Sequence, residues 1–229
     1  MSELILPGDS LREVPSDVIY GPGIYQSPLA DPRPVRAGLL VTRPKKSSTV
    51  LLIDSNGKRY IPAVKDHVIG VVVGKLSEGF RVLLQEHSPV VRLGQFAFEN
   101  ASKKNRPNLA TGTLVYGRIS MADPDIEAEM ECFDATTGKA AGFGELNGGY
   151  VVEVSLAYAR MLLFEGGPVL AAIGEIIPFE VAIGMNGKIW IDGPDVKATW
   201  KIAQCIQKSE SLAPQKVKGM VTSILSTGK

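Results

Sequence analysis

The sequence has few residues of the kinds that metal and thiol chemistry require. Its 229 residues include two cysteines and two histidines. Cys132 and Cys205 lie far apart, and neither forms a Cys-x-x-Cys pair, so no zinc-motif spacing is present. We therefore expect two buried thiols, no metal and no cofactor.

Long hydrophobic runs are also missing. The longest candidate, residues 68–73, is interrupted by Gly70, whereas a membrane-spanning helix needs about 18 apolar residues. The first ten residues have neither a basic stretch nor a long apolar stretch, which argues against a secretory signal peptide. We expect no membrane contact and a location in the cytosol or the nucleus.

Motifs that carry catalysis are missing too. No serine lies in a Gly-x-Ser-x-Gly elbow, and the glycine-rich phosphate loop of nucleotide-binding enzymes is not present. His67 begins a predicted strand and His87 lies in a predicted turn, so neither is placed beside a nucleophile. The sequence predicts no catalytic residue, and we expect that the chain is not an enzyme.

What the sequence does contain is an ordinary globular composition with many turn formers. Hydrophobic residues make up 45% and charged residues 21%, which excludes disorder across the whole chain. The 24 glycines and 15 prolines together exceed average usage. Their abundance predicts short strands joined by many turns.

The net charge of +1 conceals a segregation of charge along the chain. Residues 36–60 contain six basic residues and one acid, residues 101–120 contain four basic residues and no acid, and residues 121–135 contain six acids and no base. Patches of one sign suit recognition of a polyanion or a charged partner, but charged residues also cover ordinary solvated surfaces. The pattern alone leaves both interpretations open.

Three segments follow one another along the chain. Residues 1–62 have four turn clusters, a predicted strand over 47–53, an Asn56-Gly57 turn and a returning strand over 58–62, which indicates a small N-terminal β domain. Residues 63–145 contain five short β-runs, which predict a five-stranded barrel of the OB type. These runs cover residues 67–74, 79–84, 90–93, 112–120 and 129–133.

Residues 146–229 change to a mixed pattern after a glycine-rich joint. The order strand, helix, helix, strand, strand, helix is that of a type I KH domain, an RNA-binding module. The tail from Ala213 is predicted to be a last short helix or to be partly disordered. The whole chain is therefore predicted to be mainly β with an α+β C-terminal part. The predicted elements are 150–155, 156–164, 169–177, 179–183, 188–191 and 196–207.

A basic loop (residues 102–108) separates the third and fourth barrel strands and is the first candidate RNA-binding site. Lys103, Lys104, Asn105 and Arg106 lie there without a nearby acid, as phosphate contact requires, although a solvated loop would have the same composition. Strand aromatics are candidate stacking platforms, and single arginines are secondary candidates. These are Phe80 with Arg81, Phe96 with Phe98, and Arg92 and Arg118.

The Gly184-Met185-Asn186-Gly187 motif has a different predicted role. A working KH domain clamps a nucleic-acid backbone with a GxxG loop between two helices. Here the flanking segments have strand patterns, so Asn186-Gly187 is predicted to be a hairpin turn, and the predicted inter-helix position is the acidic stretch 165–168. We expect Gly184, Asn186 and Gly187 to form an interdomain structural motif rather than an RNA clamp.

Several motifs together resemble one protein family. They are Leu6-Pro-Gly-Asp9, the stretches 15–23 and 60–72, Lys103-Lys-Asn-Arg-Pro-Asn108 and Gly184-Met-Asn-Gly-Lys-Ile-Trp190. In this order they resemble the cap subunits of the eukaryotic RNA exosome, and the Lys-Asn-Arg-Pro-Asn loop is most similar to the forty-kilodalton-class, KH-containing type. The paired cysteines of the zinc-ribbon cap type are absent.

The resemblance implies a specific function. Members of this family are three-domain, non-catalytic subunits that sit on a ring of six ribonuclease-PH-like subunits and line the RNA entry pore. The implied partners are these ring subunits, the other cap subunits and single-stranded RNA, and the implied location is the nucleus and nucleolus as well as the cytoplasm. The N-terminal domain would dock on the ring. A free-standing RNA-binding adaptor with the same folds is the alternative.

Overall fold

The computed structural model describes residues 3–11, 17–45, 48–102 and 104–226. Its contacts divide the chain into two compact units, Met1–Gly57 and Lys58–Lys229. The division falls before Lys58 rather than after residue 62. Residues 58–62 are not the returning strand that the sequence predicted, because Tyr60 packs into the core of the barrel and its backbone N–H donates to the Gln85 side chain at 2.9 Å.

The first unit is a small β structure. Its two longest strands, Gly38–Lys45 and Ser48–Asp54, form a hairpin. The first of these strands was not predicted from the sequence. Ile5, Leu51 and Ile53 are its buried apolar residues, and alternating burial along the hairpin is what a half-covered sheet requires. Four strands pair in the order β1-β5-β6-β2, and β3 pairs with β4. The strands are β1 (Glu3–Ile5), β2 (Val18–Tyr20), β3 (Ile24–Tyr25), β4 (Arg33–Pro34), β5 (Gly38–Lys45) and β6 (Ser48–Asp54).

The barrel predicted from the five β-runs is confirmed. Its strands run in the order β11-β9-β8-β7-β10-β12, and a further pairing between β10 and β11 closes the sheet on itself. Alternate residues of each strand point inward, so Val72, Val82, Leu93 and Ile119 meet in one core. The strands are β7 (His67–Leu76), β8 (Gly79–Leu83), β9 (Val91–Phe98), β10 (Leu114–Asp123), β11 (Ile126–Cys132) and β12 (Gly144–Leu146).

The C-terminal part has the element order predicted for a type I KH domain. Ser155 and Asp195 cap two of the helices by accepting from the backbone N–H three residues later. The tail, for which the sequence left a short helix or partial disorder open, forms a helix over Pro214–Ser226. A three-stranded sheet, in the order β13-β15-β14, packs against the helices. The elements are β13 (Tyr150–Glu153), α1 (Leu156–Glu165), α2 (Pro168–Gly174), β14 (Glu180–Ile183), β15 (Lys188–Asp192), α3 (Val196–Ser209) and α4 (Pro214–Ser226).

Strand β7 belongs to both cores of the second unit. Val68 and Val72 point into the barrel, while Ile69 packs with Ala182 and Trp190 of the KH sheet. A strand covered on both faces has a continuous apolar sequence rather than an alternating one, which explains the segment 67–73. The barrel and the KH domain are therefore joined through a shared strand.

Within the described ranges, no single helix is long and apolar enough to cross a bilayer, and only α1 and α2 taken together across a 60° bend pass that test. The same part of the chain has no group of three or more His, Cys, Asp or Glu side chains placed to hold a metal ion.

Both cysteines are free and buried, and burial raises the pKa of the Cys132 thiol far above its ordinary value. Neither thiol is therefore activated for chemistry.

Candidate nucleic-acid interface

The basic loop is an ordered turn attached to the barrel. Ser102 and Asn105 exchange backbone hydrogen bonds of 3.0 and 3.1 Å, and the Asn105 side-chain amide donates to the Asn100 carbonyl at 3.4 Å. Leu109, directly after the loop, is 3% exposed and anchors it in the barrel core. Lys104 and Arg106 project into solvent, while Lys103 lies outside the described residues.

A third cation joins the loop from the neighbouring strand. Lys75, near the end of β7, is exposed and donates from Nζ to Asn108 Oδ1 at 2.8 Å. This bond holds the ammonium group beside the basic loop without neutralising its charge. The barrel rim therefore presents Lys75, Lys104 and Arg106 together, and sequence reasoning missed Lys75 because it lies 33 residues from its partner.

The outer strand face beside the loop is charge-balanced. Arg81 and Arg92 are cross-strand neighbours, and Arg92 lies 3.5 Å from a carboxylate oxygen of Glu78 and 3.9 Å from one of Glu129. Arg81 is exposed. Arg92 is therefore partly neutralised, whereas Arg81, Lys104 and Arg106 form no ion pair with any described residue. Unpaired positive charge thus lies at the loop and at Arg81.

Phe80 corrects a prediction. It is 3% exposed and lies opposite Leu93 in the barrel core, so it cannot stack on a base. The reason is the two-residue period of β8, which turns Phe80 and Val82 inward and Arg81 outward. Phe98 is also partly buried against this core. Of the three candidate stacking residues, Phe96 is the accessible one, with 57% of its surface exposed beside Arg92 and Arg106 in an open groove.

Arg118 corrects a second prediction. Its Nε donates to Glu131 Oε1 at 3.1 Å, and its Nη2 reaches the same carboxylate. The two side chains are only 18% and 14% exposed. The guanidinium is therefore committed to a partly buried cross-strand ion pair and is not a free phosphate contact.

The acidic run 121–135 is divided by the hairpin of β10 and β11. Asp123, Asp125 and Glu127 are exposed around the turn, where the Asp123 carboxylate accepts from the Asp125 backbone N–H at 2.9 Å. Glu129 and Glu131 face the arginines described above. Asp134, the sixth acid of the run, accepts from the Thr136 backbone N–H and the Thr137 hydroxyl, each at 3.1 Å. The acids without an ion pair to a described residue therefore lie at the turn and at Asp134.

Asn186 lies where the barrel meets the KH domain. It is 1% exposed, its Oδ1 accepts from the Ile69 N–H at 3.2 Å, and its Nδ2 donates to the carbonyls of Ile69 and Leu84, each at 2.8 Å. One side-chain amide therefore satisfies three backbone groups of the barrel. The turn itself joins β14 to β15, as a hairpin.

The glycines on either side leave room for this contact. A Cβ on Gly184 would overlap Asn186 Oδ1 and lie 2.9 Å from the Ile69 nitrogen, and Gly187 has a φ of +81° that favours glycine. Between α1 and α2, where a KH clamp would stand, Gly166 caps the helix and Gly167 is tucked against Leu162. The connection supplies no basic residue for a phosphate.

His67 is expected to make the stability of the unit that contains the barrel and the KH domain depend on pH. Its ring packs edge-on against Tyr116 and Phe143, with centroid distances of 6.0 and 5.1 Å, and burial followed by the nearby Arg118 charge lowers its pKa below 6.5. A histidine whose pKa is lower in the folded state stabilises the fold at pH values above its unfolded-state pKa. That contribution to stability is lost as the pH falls. We expect stability to decline as pH drops from about 7 to about 5, and the decline to be smaller in His67→Gln.

Chemical denaturation at a series of pH values checks this expectation. The difference between the wild type and His67→Gln measures the histidine together with its coupling to Asp66, whose pKa is raised by burial and lowered by the His67 charge. His87→Gln is the control, since His87 is exposed. Equal pH dependence in the wild type and His67→Gln would contradict the assignment.

Barrel, KH domain and exposed basic rim together define a nucleic-acid-binding protein of the S1–KH class. The family model "Exosome complex component RRP40, S1 domain" matches residues 60–144, and the KH domain model matches residues 149–197. Exosome complex component RRP40 of Saccharomyces cerevisiae is 46% identical over 222 residues, covering 93% of this chain and 92% of the relative. The chain belongs to the RRP40 family of exosome complex components.

Other relatives agree with this assignment. Exosome complex component rrp40 of Schizosaccharomyces pombe is 41% identical, and the match covers 90% of this chain and 86% of the relative. Exosome complex component RRP40 of Homo sapiens is 35% identical, and the match covers 74% of this chain and 61% of the relative. A crystal structure of a protein provisionally described as an exosome complex RNA-binding protein has a TM-score of 0.60 and 17% identity, covering 74% of this chain and 99% of that one. That likeness supports the fold.

Proposed function

We propose that this chain is a non-catalytic cap subunit of the RNA exosome that binds single-stranded RNA and guides it into the central channel. The observation that carries the RNA part is the exposed basic rim of Lys75, Lys104 and Arg106, held on a rigid barrel. Lysine and arginine at such a rim contact phosphates through charge, which makes binding salt-dependent and tolerant of sequence. The KH domain, without a basic clamp, serves as a rigid support.

The assembly part of the proposal rests on family membership. The relatives are named as components of the exosome complex, and we extend this to contact with ribonuclease-PH-like ring subunits and other cap subunits. The N-terminal unit is the proposed docking element, and the exposed acids at the β10–β11 turn suit a basic partner. The proposed locations are the nucleus, the nucleolus and the cytoplasm.

The non-catalytic assignment is supported by how the reactive side chains are used. His67 packs between aromatic rings, Cys132 is buried with a raised pKa, and neither lies in a constellation that activates a nucleophile. We attribute the degradation chemistry of the complex to other subunits.

Charge reversal at the rim tests RNA binding. Lys104→Glu combined with Arg106→Glu is expected to weaken binding of an unstructured RNA by about tenfold at physiological salt, because phosphate contacts dominate affinity. The dependence of log affinity on log salt is expected to become shallower by about 1.4, since each phosphate of a single strand that the protein neutralises adds about 0.7 to the slope. Fluorescence anisotropy of a labelled RNA over several salt concentrations measures both quantities.

A matched variant separates a local effect from a change in overall charge. Lys208→Glu combined with Lys216→Glu changes the net charge equally, at two exposed positions on α3 and α4 of the KH domain. It is expected to bind RNA almost as the wild type does. Equal weakening by both double variants would show that the basic rim is not the binding site.

Purification of the tagged chain from its native cells tests the assembly part. Six ribonuclease-PH-like proteins and two other cap proteins in near-equal amounts would support the cap assignment. Their absence, with RNA still bound, would favour the alternative of a free-standing RNA-binding adaptor.

A further inference from the structure

A cavity on the KH domain is lined by residues that take no part in the proposed RNA contact at the basic rim. It has a volume of about 360 Å³ and lies between β13, the end of β15 and the start of α3. Tyr150 and Trp200 form one wall, and Val196 lies at its mouth. This cavity is called the aromatic cleft below.

The walls of the aromatic cleft are large apolar side chains left in solvent. Tyr150 is 43% exposed, Trp200 is 51% exposed and Val196 is 86% exposed. The two rings meet edge to face, with centroids 5.5 Å apart and an interplanar angle of 74°. A cluster of exposed aromatic residues on an otherwise polar helix face is typical of a binding surface rather than of solvated structure.

The charges that line the aromatic cleft are all negative. They come from Asp192 and Asp195, and no lysine or arginine is among the lining residues. The Asp195 side chain already accepts from the Ala198 N–H as a helix cap, whereas the Asp192 side chain makes no hydrogen bond or ion pair with any residue in the described ranges. A phosphate would be repelled here, so the cleft does not suit the RNA backbone.

We propose that the aromatic cleft binds an arginine side chain presented by a segment of a protein partner. A guanidinium can lie against the indole face of Trp200 while it donates hydrogen bonds to the Asp192 carboxylate, a combination that its planar, forked shape allows. Lysine would offer the charge without the planar stacking. The exposed Val196 would receive an apolar neighbour of that arginine.

The two tryptophans allow a direct test on the full chain. Trp190 is 6% exposed and its indole N–H donates to the Gly148 carbonyl at 2.9 Å, so its NMR resonance is an internal reference for that of Trp200. The probe is acetyl-arginine-N-methylamide, with the citrulline and lysine analogues as controls. Citrulline keeps the shape of arginine but lacks its charge.

We expect the Trp200 indole resonance to shift saturably with the arginine probe, while the Trp190 resonance stays in place. Binding is expected to weaken by about tenfold in Asp192→Asn and for the citrulline probe. Asp31→Asn, an exposed carboxylate in the other unit, is the matched control and should bind as the wild type does. An unmoved Trp200 resonance at about 20 mM probe, or equal shifts with citrulline, would overturn the proposal.

Photo-crosslinking in native cells tests the nature of the partner. A benzophenone amino acid replaces Val196, and a control chain carries it at Phe164, which is 73% exposed on α1. We expect crosslinks specific to the Val196 position, to protein segments that contain an arginine within a few residues, and their loss in Asp192→Asn. The proposal would be overturned by crosslinks to RNA, by crosslinks to segments without arginine, or by a crosslinking level no higher than that of the Phe164 control. None of these results bears on RNA binding at the basic rim.

Discussion

Replacing Asn186 by alanine is expected to destabilise the unit that contains the barrel and the KH domain by about 3 kcal/mol or more. The substitution removes one side chain but leaves three backbone groups without a partner, namely the N–H and carbonyl of Ile69 and the carbonyl of Leu84. Each buried polar group left unsatisfied costs about 1–3 kcal/mol. Asn186 is only 1% exposed, but it also lines an open pocket of about 410 Å³, so water that enters the space left by the amide would keep the cost near the lower end of this range.

Urea unfolding followed by tryptophan fluorescence measures this effect, since both tryptophans lie in the KH domain. Asn147→Ala is the control, because Asn147 is exposed. Asn186→Asp is expected to be at least as harmful, since a carboxylate cannot donate to the two carbonyls. A change below about 1 kcal/mol in Asn186→Ala would contradict the structural role of the motif.

The same variant separates stability from RNA binding. The basic loop is anchored by Leu109 in the barrel core, whereas Asn186 bonds to Ile69 and Leu84. At a temperature where Asn186→Ala is still folded, RNA affinity should therefore be close to that of the wild type. This result would separate the Asn186 contact, which holds the KH domain against the barrel, from the proposed RNA contact at the basic rim.

Replacing Gly70 by alanine is the second change expected to have a large effect. Gly70 lies on β7, and a Cβ there would overlap Val82 Cγ1 and approach Leu84 Cδ2 to 3.0 Å. Both neighbours belong to the closed barrel core, so strand β8 would have to move away from β7. Overpacking of this kind typically costs about 1–3 kcal/mol. We expect a value at the upper end, because the closed barrel limits relaxation.

Gly219→Ala makes the same chemical change with the opposite expected sign. Gly219 lies inside α4, and a Cβ there would meet nothing within 4 Å. Alanine is about 1 kcal/mol more favourable than glycine inside a helix, so this variant should be more stable than the wild type. Differential scanning calorimetry of both variants compares them directly. Similar melting temperatures for Gly70→Ala and the wild type would show that the barrel can absorb the methyl group.

Local patterning was sufficient for most of the barrel and for the order of the KH elements. Five β-runs with glycine at their turns correspond to strands β7 to β11, and the spacing of apolar residues in 156–164 and 196–207 corresponds to α1 and α3. These features are readable because side-chain period is a property of each segment by itself. Patterning failed for residues 58–62, where an Asn-Gly turn suggested a returning strand. Tyr60 is buried against the barrel and contacts Gln85 and Asp66, and no local signal reports these contacts.

The candidate site likewise combines features that local sequence predicts with features that depend on tertiary contacts. Three features were readable from the sequence: a basic loop without acids between barrel strands, a hairpin turn at Asn186-Gly187, and a resemblance to exosome components. Which side chains are accessible depends instead on the folded structure. Strand register turned Phe80 inward and paired Arg118 with Glu131, and folding brought Asn186 to Ile69, 117 positions away. The physical reason is that accessibility and pairing are set by neighbours in space, which the chain acquires when its strands close into a barrel and the KH sheet docks against β7.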